Sequence, residues 1–342
     1  MLYIPPCNQC FEMLPSDYGP GDIEFWIEPP LLLSIQSDVK KMLDEGVDSQ
    51  VLTLVRELRR VIEDRGLIKG IGSSTKAFNA YAIDSSYPTP PPLELIGGVM
   101  TVLSYGYVGY LNGSYDRYMT GEVVFEDVSE FERVITRRAQ VRERELAIKL
   151  LRDKARGGRK GGVDLVILDG EIPVHPLPYN LPVEGGVLAR VTNVVGDLLE
   201  LAMKTKTPII GVVKRVRSRF LSVLTNECLP MNDKLIASLV LSNGEYMVLG
   251  NYGDILPPQW LRINYGDCEL RKRCKSGKCD DIRDLMSRRL SEGLVNLERV
   301  FSGSTHPGLK MLRDIYVVFY KPRNGAPAVK LEVFNPSDGG EY

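Results

Sequence analysis

Three short apolar runs in this chain each stop on a charged residue. "FNAYAIDSS" delivers Asp84, "VDLVILDGE" delivers Asp169, and "TPIIGVVKRV" delivers Lys214. Runs of this length, rich in Val and Ile, read as buried strands. Where such strands are neighbours with their C-terminal ends at one sheet edge, the two carboxylates converge. Carboxylates brought together repel unless they share a proton or a cation.

The segments around these runs set the architecture. Residues 31–66 read as helix, with Val51, Leu54, Val55, Leu58, Val61 and Ile62 on one face. Residues 1–75 are taken as a helical extension and 76–342 as the main domain. Residues 95–113, "LIGGVMTVLSYGYVGYLNG", read as a strand bent or bulged at Gly97-Gly98, and 118–128 as the next strand of a meander. A charged helix follows over 129–155, where Ser129 and Glu132 have capping-box spacing. Helices are expected at 186–204 and 232–241. Further short strands are expected at 163–168, 207–213, 245–249, 259–264, 315–320 and 329–334. Early meander strands followed by alternating strands and helices imply an α/β mixed sheet with helices on its faces. The order fits a ribonuclease-H-like sheet, whose ligands lie at the C-terminal strand ends.

Charge and cysteine content exclude little. Lys plus Arg number 43 against 44 Asp plus Glu, so global charge points neither to nucleic acid nor to membrane. No apolar run reaches the roughly 18 residues of a membrane span, and no signal peptide is read. A cytoplasmic location is expected. Two His residues, His175 and His306, are too few for a His-rich metal site. Cys7, Cys10, Cys274 and Cys279 leave free thiols, disulfides or a thiolate zinc site open. Scarce Gln and 25% charged residues lean towards a thermophilic source.

The acidic candidates are Asp84, Asp169, Asp233, and Glu143 or Glu145. Oxygen donors of this kind suit Mg²⁺ or Mn²⁺. Such ions stabilise the attacking and leaving oxygens of phosphodiester cleavage. Lys214 at a strand end suits a phosphate or a developing negative charge. Arg215, Arg217 and Arg219 follow it, and "RDKARGGRK" and "RKRCKSGK" are further basic runs, as expected for phosphate contact with DNA. Each residue also has a plainer role. A strand-end Asp serves as turn or cap, Asp233 before a helix as an N-cap, helical Glu residues as a solvated face, and basic runs as surface.

"YAIDSSYP", "RERELAIKLL", "VDLVILDGE", "PIIGVVKRVRSRFL" and "NDKLIASLVLSNGE", in that order, resemble the NurA nuclease family of archaea. The likeness is good over about 78–250 and looser over 315–334. It implies a ribonuclease-H-like fold in a ring-shaped homodimer. It also implies Mn²⁺-dependent 5′-to-3′ exonuclease and single-strand endonuclease activity on DNA, with a hexameric HerA helicase-translocase as partner in end resection. Carried over by motif, the acidic residues fall on Asp84, Glu145 and Asp169, the Lys on Lys214 and a later Asp on Asp233. Glu171, in "LDGE", departs from the family's pattern. So does the absence of a late His beyond the last expected strand. The alternatives are a non-catalytic DNA clamp that stimulates the translocase, and a metallophosphatase for small phosphate esters.

Overall fold

The computed structural model describes residues 49–72, 78–88, 93–111, 113–157, 162–175, 177–178, 181, 186–216, 218, 221, 232–256, 279–323 and 326–336. The chain divides into two units, Met1–Leu54 and Val55–Tyr342, and nearly all the described residues belong to the second. Of the helix read over 31–66, the amphipathic stripe forms helix α1, Ser49–Asp64, and 31–48 lies outside the described residues. It buries Val55, Leu58 and Ile62, while Arg59 makes a two-pronged bond to Glu245 at 3.1 and 3.2 Å.

The strands are β1 (Ile68–Gly70), β2 (Ala80–Ser86), β3 (Leu93–Leu95), β4 (Gly98–Leu111), β5 (Ser114–Glu126), β6 (Leu165–Asp169), β7 (Ile209–Val213), β8 (Glu245–Asn251), β9 (Tyr316–Tyr320) and β10 (Val329–Phe334). They form a single ten-stranded sheet in the order β1-β8-β9-β10-β7-β6-β2-β4, with β3 and β5 also on β4. Strands β2, β6 and β7 run parallel, with Ile83 paired to Leu168 and Leu168 to Gly211. Strand β4 is antiparallel to β2, and β5 to β4. The run β5-β4-β2-β6-β7 is the expected ribonuclease-H-like order. Strands β10, β9, β8 and β1 continue it in antiparallel fashion.

Helix α2, Phe131–Ala155, crosses β2 and β4. Its residues Phe131, Ile135, Ala139, Glu143, Ala147 and Leu151 are all buried and stand four apart, a row that winds slowly around the helix, and Val141, Leu146, Ile148 and Leu150 are buried beside it. Val99, Leu103 and Val124 of the β4–β5 hairpin pack against the first three. Helix α3, Gly186–Thr205, packs on α2 and buries Val191, Val195, Leu198, Leu199 and Ala202. Helix α4 is Asp233–Val240, α5 is Cys279–Phe301, and Pro307–Asp314 is a 3-10 helix. Gly196 of α3 lies against the His306 ring, where an added Cβ would stand 2.1 Å from Nδ1. His306 itself caps the 3-10 helix, accepting from Gly308 N at 3.1 Å.

Several expectations change. The capping box at Ser129 does not form: Ser129 donates instead to Asp127 Oδ1, and α2 begins after Glu130 without a side-chain cap. An Asx turn competes for the same hydroxyl. Gly97 is no bulge but part of the turn joining β3 to β4, at φ +90. The meander strand expected over 118–128 begins at Ser114, because Gly113, also at φ +90, closes a tight hairpin. Helix α5 was not expected. The strand at 259–264, Cys7, Cys10, Cys228, Cys268 and Cys274, and the basic run 271–278 lie outside the described residues. Among the described residues, no helix is long and apolar enough to cross a membrane.

Candidate active site

The parallel register brings Asp84 and Asp169 together. Each stands one residue past the Ile83–Leu168 pair, where the parallel pairing of β2 and β6 ends. On its other side Asp84 faces Gly106 of β4, which presents no side chain. Gly170, at φ +93, turns the chain away directly after Asp169. Both aspartates remain open to solvent, Asp169 with 30% of its side chain exposed. Partial burial, together with the neighbouring Asp169 carboxylate, holds the Asp84 carboxyl above the ordinary carboxylate range; the Ser85 amide, bonded to Oδ1 at 2.8 Å, works the other way.

Lys214, just beyond β7, donates to Asp169 Oδ2 at 2.8 Å and is 67% exposed. That bond holds its ammonium above its usual pKa, although partial burial opposes the shift. Lys234 Nζ in turn donates to the Lys214 carbonyl at 2.9 Å. Arg215 is exposed beside Lys214, while Arg217 and Arg219 lie outside the described residues. Of the basic run 152–160, Lys154 is taken up internally by Val163 O and Thr207 Oγ1.

The helical acid at this edge is Glu143, not Glu145. Glu143 is buried in the α2 row and accepts from Ser85 Oγ, next to Asp84. Burial pushes its carboxyl up; Arg144 opposes this, and the charges of Asp84 and Asp169 add to it. Two residues along a helix is about 200° of rotation, so Glu145 turns to the other flank. There it pairs with Arg142 at 2.7 Å and with Arg190. It lines a cavity of about 390 Å³ between α2 and α3, with Arg152, Asn193 and Asp197. Spacing from Phe131 does not single out Glu143 in the sequence: 12 residues along a helix is about 120° of rotation, and the 14 residues to Glu145 bring the chain back to within about 40°.

Asp233 is not drawn to this open edge either. It is fully buried, its Oδ1 accepts from Leu221 N at 2.8 Å, and its charge acts on Lys330. The N-cap of α4 is Asn232, which accepts from Leu235 N. Asp233 therefore ties the start of α4 to Leu221. Lys330 and Glu332, both on β10 and both buried, received no role from the sequence.

The donor set fits a hard divalent cation. Asp84 and Asp169 offer only carboxylate oxygens, and the Lys214 ammonium already shows that a cation is favoured against Asp169. Among the described residues, no three His, Cys, Asp or Glu side chains are already gathered at one point. Two carboxylates with substrate phosphate oxygens are a common way of holding Mg²⁺.

Fold and site together place the chain among the ribonuclease-H-like proteins. Residues 78–336 match the NurA domain, and the chain belongs to the NurA family of nucleases. Among solved structures it is similar to NurA with manganese, at 12% identity over 88% of this chain and 87% of that one, TM-score 0.37. It is also similar to NurA bound to dAMP and manganese, at 16% identity over 89% and 87%, TM-score 0.37. The catalytic domain of human endonuclease V matches at 14% identity over 54% and 68%, TM-score 0.23. No curated protein matches.

Proposed function

We propose that this chain is a divalent-metal-dependent DNA nuclease whose centre is the Asp84–Asp169 pair. The observation that carries the reading is the convergence of these two carboxylates at the C-terminal edge of parallel strands, on a chain of the NurA family. Asp84 and Asp169 would hold Mn²⁺, or Mg²⁺. The ion would supply Lewis-acid polarisation of a phosphate oxygen and favour deprotonation of an attacking water. Mn²⁺ is preferred because a NurA structure contains manganese with dAMP.

The protein's own groups do the rest. Lys214, exposed and on a backbone held by Lys234, is free to leave Asp169 for a phosphate oxygen and to offset the charge that grows there. Arg215 extends the cationic edge along the strand. Glu143 and Ser85 brace Asp84 from the α2 side. Cleavage would run as a 5′-to-3′ exonuclease and single-strand endonuclease, in a homodimer working with a HerA-type hexameric translocase at DNA ends. Strand-specific end labels test this: loss of 5′-terminal nucleotides in Mn²⁺ and none in EDTA supports it, and digestion from the 3′ end overturns the polarity.

A second reading is a non-catalytic DNA clamp that stimulates the translocase. It is favoured by the engagement of both Glu143 oxygens, by Ser85 and Arg144, which leaves two carboxylates rather than three at the edge. Metal-dependent cleavage by the isolated protein would exclude it as the sole function.

A further inference from the structure

The chain leaving Asp169 does not run out into solvent. It doubles back over β7 at Gly211, where an added Cβ would stand 2.6 Å from Gly170 O and 3.0 Å from Ile172 N. Gly211 is paired to Leu168 on one side and to Glu332 of β10 on the other. The missing side chain lets the turn lie flat enough for Ile172 N to donate to Glu332 Oε2 at 2.9 Å. Glu332 is fully buried, and its Oε1 accepts from Lys330 Nζ at 2.9 Å and from the Tyr252 hydroxyl. Lys330 stands 3.5 Å from Glu171 Oε1.

Arg144 grips the same turn from the helix side. It is fully buried and donates to the carbonyl oxygens of Glu171 and Ile172. Its Nη1 reaches Glu143 Oε2 at 2.6 Å. The turn after Asp169 is thus held between two buried ion pairs, one of which includes the glutamate that braces Asp84. Buried pairs of this kind stabilise a fold no better than apolar residues of equal volume. What they add here is a fixed geometry.

We propose that Glu332 is a positioning residue: through the Ile172 amide it fixes the turn that carries Asp169, and so sets the spacing of the metal-binding carboxylates. The inference rests on the metal-dependent reading of the site. Glu332, Lys330 and Tyr252 are buried behind the turn, so their effect is on ligand placement.

The test is Mn²⁺ binding to the whole protein, read from the free-ion electron paramagnetic resonance signal without DNA, with hydrogen–deuterium exchange over residues 165–174 in parallel. Glu332→Ala should weaken Mn²⁺ binding by roughly 10- to 100-fold, as loss of a group supporting a metal ligand does, and speed exchange at this turn. Glu332→Gln, which keeps an oxygen for the Ile172 amide, should recover most of the affinity. A folded Glu332→Ala protein with native Mn²⁺ affinity overturns the proposal. If Glu332→Ala does not fold, Gly211→Ala decides, since its Cβ displaces the turn while every charge remains: native affinity in that variant overturns the proposal equally. If the native protein itself takes up no Mn²⁺, the metal reading fails and this inference with it.

Discussion

Lys214 reaches across from the end of β7 to Asp169 at the end of β6, Nζ to Oδ2 at 2.8 Å, and leaves two thirds of its own side chain in solvent. An exposed pair of this kind contributes about 0–1 kcal/mol to stability. Its position suits a different task, that of meeting a phosphate. Lys214→Ala should therefore leave thermal stability nearly unchanged while lowering the cleavage rate by about 10²-fold, the usual cost of losing one donor to a developing charge. Calorimetry and single-turnover cleavage on the same sample check this; native rates in the variant would remove Lys214 from the reaction.

Glu143 and Glu145 separate cleanly. Glu143→Gln should lower cleavage strongly, because it disturbs the brace on Asp84 and the contact with Arg144. Glu145→Gln loosens only the surface pairs with Arg142 and Arg190 and should cleave like the native protein. Rates are compared per folded molecule, since Glu143→Gln also removes the charge facing a buried arginine. The opposite ranking of the two variants would return the helical acid to Glu145.

The Asp84 carboxyl gives a prediction with a sign. Its pKa is raised in the folded chain, chiefly by burial and then by Asp169. A group raised on folding contributes stability below its unfolded pKa of about 3.9 and loses that contribution as pH rises through the folded value. Ionised Asp84 therefore weakens the metal-free fold at neutral pH. Metal-free Asp84→Asn should melt higher than native protein, by a margin that grows as pH rises from about 4 through the folded value and then levels off. Added Mn²⁺ should raise Tm for native protein in the same window and not for the variant. Equal melting of the two metal-free proteins across the range would show that Asp84 bears no such load.

Much of this site is legible in the sequence because its main parts are local. A strand of Val, Ile and Leu that stops on Asp or Lys announces both the strand and the residue at its end: Asp169 closes β6 and Lys214 follows β7, while β2 runs two residues past Asp84 to Ser86. Glu143 was harder. The helix is buried around much of its circumference, Arg144, Leu146 and Ile148 included, so helical spacing does not separate Glu143 from Glu145; the bond to Ser85 does. Asp233 illustrates the opposite error: an acid before a helix was assigned a site role, and the fold buries it against Leu221 N. Helix α5 was not expected: Leu290, Leu294, Leu297 and Val300 have its spacing, but its first turns, "CDDIRD", are charged and carry little apolar pattern. The support from Lys330 and Glu332 was out of reach. It depends on β10 pairing with β7 over a separation of more than a hundred residues, and no local pattern records that pairing.

The most direct test is cleavage of end-labelled DNA by the purified native protein and by Asp84→Asn, each in Mn²⁺, Mg²⁺ and EDTA, with DNA binding measured alongside. The account predicts cleavage by native protein that needs the metal, and a variant that binds DNA as well as native protein but does not cut it. Cleavage by Asp84→Asn at the native rate, or cleavage undiminished in EDTA, would contradict it.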